Sequence, residues 1–163
     1  MTTAPEGLAG RPVVVGSGIA GLATALHLAP APVVLLTKAA LGEAASSPWA
    51  QGGMAVSLGA DDGADLHLAD TLSAGDGLCE PDAARRILAA GPGAVEDLIR
   101  IGAQFDRDGA GRIALGLEAA HSRRRIAHAD GDGTGRELVR ALRAAVRATP
   151  SITVLEDMEV RRI

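Results

Sequence analysis

Val13-Val14-Val15-Gly16-Ser17-Gly18-Ile19-Ala20-Gly21-Leu22 constrains this chain more than any other stretch. An apolar β-branched run enters a G-x-G-x-x-G turn, and the turn opens a helix. Each glycine has a physical task at that spacing: Gly16 permits the tight turn and Gly18 lets backbone approach a pyrophosphate. Gly21 lets the helix pack closely on the sheet. A bound anion would meet unpaired N–H groups at the positive end of the helix dipole. Ile19, Leu22, Ala23 and Leu26 follow at the spacing of a buried helix face, the context such a turn requires. The competing reading is a glycine-rich strand-to-helix turn that binds nothing.

The rest of the first third completes a strand–helix–strand unit. The helix runs from about residue 19 to 28 and is stopped by Pro30 and Pro32. Val33-Val34-Leu35-Leu36 is a second strand, and both strands are expected to be buried on both faces, as parallel strands are. Where a dinucleotide site commonly carries Asp or Glu for the ribose hydroxyls, this chain has Lys38. An ammonium donates only, so ordinary NAD binding loses support and Lys38 is left to a phosphate or a ribose oxygen.

Further along, the segment around Ser46, Ser47, Ala50, Gln51, Gly52 and Gly53 is too irregular for a helix. Its small hydroxyls and Gly-Gly pair suit either close approach to a flat ring or an ordinary loop. Residues 65–72 read as a short helix. A helix starts at Pro81 with Ala84, Ile87 and Leu88 inward, and Gly91-Pro92 interrupts it. A second helix then buries Val95, Leu98 and Ile99 and ends at Gly102. Residues 105–117 read as a hairpin turning at 108–111.

The polar centre, residues 117–128, combines Glu118, His121, His128 and three consecutive arginines. The arginines read most simply as a solvated run, with cationic donors for a carboxylate ligand as the alternative. Thr134 and Glu137 have capping-box spacing at the start of a helix that buries Leu138, Ala141, Leu142 and Ala145. Residues 152–155 form a parallel-type strand and 158–163 begin another.

Composition limits the partners. Charged residues are 22% of 163 and the formal net charge is -4 without a basic block, which argues against nucleic acid. A single cysteine, Cys79, rules out a disulfide framework or a cysteine-held metal within the chain, so no metal site is expected. The first residues do not read as a signal peptide and no apolar run reaches membrane length, so a cytoplasmic location is expected.

Taken in order, five motifs resemble one family. They are Gly16-Ser17-Gly18-Ile19-Ala20-Gly21, Thr37-Lys38, Trp49-Ala50-Gln51-Gly52-Gly53, Glu118-Ala119-Ala120-His121-Ser122 and Asp132-Gly133-Thr134-Gly135-Arg136-Glu137. From Val13 onward the chain resembles the N-terminal part of the L-aspartate oxidase branch of the succinate dehydrogenase/fumarate reductase flavoproteins. The resemblance implies a Rossmann-like α/β FAD-binding domain with a parallel sheet. Residues 1–163 would be its N-terminal portion, with the capping domain and C-terminal return absent and no complete second domain.

It implies FAD, with Ser17 to Ala20 at the pyrophosphate, Lys38 on the adenosine side, Ser46 to Gly53 at the flavin end and Val160 near the adenine. Members with covalent flavin carry a histidine where this chain has Ser46, so non-covalent FAD is implied. Glu118 is the branch marker, since a carboxylate suits the α-amino group of aspartate and repels succinate or fumarate. His121 would lie near the same substrate. The implied reaction is oxidation of L-aspartate to iminoaspartate, a step of de novo NAD biosynthesis, with oxygen or fumarate as acceptor and quinolinate synthase as a plausible partner. Oxidases of this branch usually show Glu-Gly-Gly-His, where this chain has two alanines.

The alternatives are a succinate dehydrogenase or fumarate reductase flavoprotein subunit and a non-catalytic nucleotide-binding remnant. Because Val160 and Ile163 read as inward positions of a strand that stops, these residues alone are expected to bind FAD weakly and not to turn over aspartate.

Overall fold

The computed structural model describes residues 7–162, and it divides into two compact units. The first comprises the described residues up to Trp49 together with those from Leu138 onward; the second is Ala50–Glu137.

In the first unit, β1 (Val13–Val15), α1 (Ile19–Leu28) and β2 (Val33–Leu36) form the expected crossover. The strands are parallel, Val14 opposite Leu35, and β6 (Ile152–Leu155) pairs parallel on the far side of β2, Val34 opposite Thr153. The sheet order is β1-β2-β6. α1 ends where it must: Ala29, ahead of Pro30, is extended at φ -65° and ψ 145°. Leu22 and Ala25 are its fully buried residues, while the expected Ile19, Ala23 and Leu26 are half-buried.

The central strand is buried as expected, but β1 is not. Val13 and Val15 are 56% and 49% exposed. Val14 is on the α1 side, near Gly21, so by strand alternation its two neighbours face the other way. β1 is the edge strand of the described sheet, and among the described residues of this unit none covers that face. Most of α4 (Thr134–Arg147) belongs here; it buries Leu138, Val139, Ala141, Leu142 and Val146, with Ala145 half-buried. The strand expected after residue 158 is absent among the described residues, since 158–162 are irregular and Ile163 lies outside them. Met158 N–H instead donates to Thr37 O at 2.9 Å, closing the end of β6 onto the end of β2.

The second unit holds a three-stranded antiparallel sheet that periodicity does not reveal, because its strands are two residues long. β3 (Met54–Ala55), β4 (Leu115–Gly116) and β5 (Ile126–Ala127) are ordered β3-β5-β4. α2 (Ala64–Ala74) contains the expected short helix. α3 (Pro81–Arg100) is one helix, not two: Pro92 sits inside it. Gly91 and Gly93 flank that proline and remove side-chain crowding beside its ring, and Pro92 is itself half-exposed, so one lost backbone bond is tolerated. Ile87, expected inward, is 70% exposed, and only Val95 of α3 is fully buried.

The turn at 108–111 is present: Asp108 N–H donates to Arg112 O and Gly111 N–H to Asp108 O. Its arms pair as expected as far as residues 106 and 114, with Arg107 bridging Ile113 antiparallel and Ala114 N–H donating to Asp106 O at 2.8 Å; beyond them β4 pairs with β5. The two capping-box residues also serve contacts outside the helix start. Thr134 is already helical and its hydroxyl accepts from Ala129 N–H at 3.1 Å, while Glu137 accepts from Gln104 N–H at 2.7 Å.

Candidate functional site

The carboxyl ends of β1, β2 and β6 meet at one edge of the parallel sheet. Gly16 N–H donates to Leu36 O (2.8 Å), Thr37 N–H to Leu155 O (3.0 Å) and Met158 N–H to Thr37 O. A cleft of about 340 Å³ opens there, lined among others by Gly16, Ser17, Gly18, Lys38, Glu159 and Val160. Open parallel sheets bind ligands outside the carboxyl ends of their strands, and this cleft lies there. Residues from three distant parts of the sequence, Gly16, Ser17 and Gly18, Lys38, and Val160, therefore line one cleft.

Backbone geometry constrains these glycines in different ways. Gly16 has φ +102°, which L side chains rarely adopt. A Cβ on Gly21 would lie 1.9 Å from Gly16 O, so the first turn of α1 rests directly on the backbone of the glycine turn. Gly18 is the N-cap of α1, extended and without a side chain of its own to cap the helix.

Two serines behave in ways the motif does not announce. Ser17 is buried; its hydroxyl is 2.8 Å from Thr37 Oγ1 and accepts from Gly42 N–H at 3.1 Å. Only the Ser17 backbone remains to serve an anion. Ser47 Oγ accepts from Ile19 N–H at 3.2 Å and would lie 3.2 Å from a Cβ on Gly18. The helix start is thus held by one small hydroxyl. Ser46, Ser47 and Trp49 form a 3-10 turn in which Trp49 N–H donates to Ser46 O. Ile19 and Ala20 occupy the first turn of α1.

Within the second unit, two of the motifs prove to be physically one. Ala50 O accepts from Gly135 N–H at 2.9 Å, and Gln51 Nε2 approaches Asp132 Oδ2 at 3.5 Å. Gly52 is open, with nothing within 4 Å of a Cβ built on it. Gly53 is the opposite case: φ is +78°, and a Cβ would meet Ile126 Cγ2 at 2.6 Å and Ala127 O at 2.9 Å. Gly53→Ala is therefore expected to cost about 1–3 kcal/mol of stability, and Gly52→Ala almost none. Denaturant unfolding of the two variants side by side checks this.

Glu118 is exposed and its carbonyl accepts from His121 N–H at 3.0 Å, so the two form one turn. The arginine run beside them is not solvated throughout. Arg124 is exposed, but Arg125 is 0% exposed, its Nε and Nη2 donating to Asp62 at 2.9 and 2.8 Å and its Nη1 to Asp70 at 2.9 Å. Asp70 also accepts from the N–H and the hydroxyl of Ser122, both at 2.8 Å. These two contacts, with Arg125, hold the Asp70 carboxyl below the usual range against partial desolvation. Position 125 begins the fully buried β5 stretch, and the acids that meet it lie 55 and 63 residues away. No local pattern signals that pairing.

His67, which the sequence does not single out, is 3% exposed and packs edge-to-face on His121 with ring centroids 5.5 Å apart. Burial, then the charge of Arg125 and the neighbouring His121, hold its pKa below the ordinary value, while Asp62 and Asp70 pull upward. The unfolded chain then takes up this proton more readily than the folded one. Stability is complete above about 6.5 and is lost as pH falls below it towards the folded value. Asp70 adds a second loss at lower pH, below about 3.9, as its depressed group titrates. Thermal midpoints are expected to fall on acidification from pH 7, and His67→Leu to flatten the upper part of that fall.

The model of the FAD binding domain family matches residues 11–163, and the chain belongs to that family, whose cofactor is FAD. Curated relatives agree in name. The chain is 61% identical over 163 residues to L-aspartate oxidase of Mesorhizobium japonicum, covering 100% of this chain and 32% of that protein. It is 61% identical over 151 residues to L-aspartate oxidase of Agrobacterium fabrum, covering 93% and 29%. The chain thus spans about a third of the length of the curated relatives it matches. Among solved structures it is similar to the Mycobacterium smegmatis Sdh1 complex in the apo form, with TM-score 0.84, 28% identity and coverage of 90% and 27%. A similar likeness holds to E. coli quinol fumarate reductase, with TM-score 0.85, 25% identity and coverage of 90% and 26%. No described helix is long and apolar enough to cross a membrane.

Proposed function

We propose that this chain supplies the N-terminal portion of the FAD-binding domain of an L-aspartate oxidase, both units included. The observation that carries the reading is the cleft at the carboxyl ends of β1, β2 and β6, where the Gly16–Gly21 turn presents backbone donors at the start of a helix. The groups present fit a flavin dinucleotide. Backbone at Gly16, Ser17, Gly18, Ile19 and Ala20 would hold the diphosphate, with Gly21 allowing the close approach and Ser47 giving up Ile19 N–H. Lys38 and Val160 would flank the adenosine, and Ser46, Ala50, Gln51, Gly52 and Gly53 would serve the flavin end. With Ser46 in place of a histidine, the flavin is held without a covalent bond.

Flavin, when bound, accepts the electrons that leave the substrate carbon. The residues of this chain orient that substrate: Glu118 takes the ammonium of aspartate and His121 stands at a carboxylate. Oxygen or fumarate then receives the electrons, iminoaspartate passes to a consumer such as quinolinate synthase, and the setting is the cytoplasm.

The test is direct in the full-length protein. L-aspartate should bleach its flavin absorbance without oxygen, and succinate should not. Bleaching by succinate alone would replace this reading with that of a succinate-type flavoprotein. Glu118→Gln is expected to lower kcat/KM for aspartate about 10- to 100-fold, the loss of one charge-assisted hydrogen bond, with flavin content unchanged. Unaltered preference for aspartate over succinate would remove Glu118 from the role.

A further inference from the structure

α2 carries two side chains one turn apart, His67 and Asp70, that both reach the segment holding His121. Asp70 takes both donors of Ser122, the residue next to His121, and Nη1 of Arg125. His67 lies against the His121 ring at an interplanar angle of 71°. Nδ1 of His67 and Nδ1 of His121 are each buried without a hydrogen-bond partner among the described residues. Leaving such an atom unpaired is unfavourable, and an apolar ring of the same shape would avoid it. The two rings are thus held by packing alone, inside a frame of charged bonds around Arg125.

We infer that His67 is a positioning residue: its buried ring fixes the orientation of the His121 imidazole, and Asp70 clamps the backbone beside it. The inference rests on the reading that His121 stands at the substrate. The charged and titratable groups facing His67 are Arg125, Asp62, Asp70 and His121, and the first three form a closed set of ion pairs. His67 therefore acts as a neutral wedge, presenting no second cation to His121. An orienting contact of this kind should show in substrate binding rather than in flavin content, because the residue it orients is the one read as standing at the substrate.

The experiment uses the full-length, FAD-loaded protein, four single variants (His67→Ala, His67→Leu, His67→Phe and His121→Ala) and the double variant of His67→Ala with His121→Ala. His67→Ala is expected to raise KM for L-aspartate about 10-fold while kcat changes less than about 3-fold, and His67→Phe to restore most of the loss. If the alanine variant fails to fold, His67→Leu, which fills the volume without a flat ring, carries the same expectation. In the His121→Ala background the His67 change should add nothing. Histidine labelled at Cε1 gives an independent reading, since the signal missing in His121→Ala should shift in His67→Leu and return in His67→Phe. An unchanged signal, or KM effects that add across the two sites, would overturn the inference. If the signal shifts but His121→Ala leaves KM for aspartate unaltered, His67 positions His121 and it is the substrate reading of His121 that falls.

Discussion

Gly21→Ala is expected to disrupt the first unit outright. The added Cβ would sit 1.9 Å from Gly16 O and 3.0 Å from Gly16 C, both backbone atoms. Gly16 cannot easily retreat, because its N–H is bonded to Leu36 O at the end of the central strand. Relief requires lifting α1 from the sheet, which would uncover Leu22 and Ala25. The loss should exceed about 3 kcal/mol, at the upper end of overpacking costs, and purified protein should carry no stoichiometric flavin. Gly18→Ala is the control, because its Cβ would meet the end of the Ser47 side chain at 3.2 Å and a hydroxyl can rotate away. Chemical denaturation separates the two, and equal stability of both variants would contradict the account.

Arg125→Leu should be nearly as damaging to the second unit, for a different reason. Arg125 and the Asp62 side chain are both fully buried, so removing the guanidinium leaves a carboxylate without its counter-charge. Breaking a buried pair from one side costs about 3–5 kcal/mol, whereas replacing both partners by apolar residues is often far milder. The double variant Asp62→Leu with Arg125→Leu is therefore expected to recover much of the stability lost in the single. Urea midpoints measure the comparison. A double variant no more stable than the single would show that the pair is not the cause.

What could be read from the sequence follows from the range over which each signal acts. The β1–α1–β2 crossover was legible because the apolar runs, the glycine spacing and the prolines after α1 are all local. β6 and the inward face of α4 were legible for the same reason. The exposure of Val13 and Val15 was not, since it depends on which faces the rest of the unit covers. The sheet of β3, β4 and β5 escaped notice because two-residue strands carry no periodicity. Gly91-Pro92 is a breaker in most settings and divides α3 in two by sequence; here the flanking glycines and an open surface allow the helix to continue.

At the candidate site, motif and resemblance single out the glycine turn, Lys38 and Val160, and one cleft is lined by residues of all three. The commitment of Ser17 to Thr37 and Gly42, the cap that Ser47 places on Ile19, and the pairing of Arg125 with Asp62 and Asp70 are long-range choices among many equivalent polar residues. His67 is likewise one apolar-flanked histidine in a helix until its neighbour across the fold is known.

The central claim is that backbone donors at the start of α1 hold the diphosphate of FAD. A crystal structure of the full-length protein with FAD tests it most directly. The account predicts diphosphate oxygens within about 3.2 Å of the Gly18 and Ile19 nitrogens, with Ser47 Oγ displaced from Ile19. A diphosphate bound elsewhere, with Ser47 still capping Ile19, would contradict it.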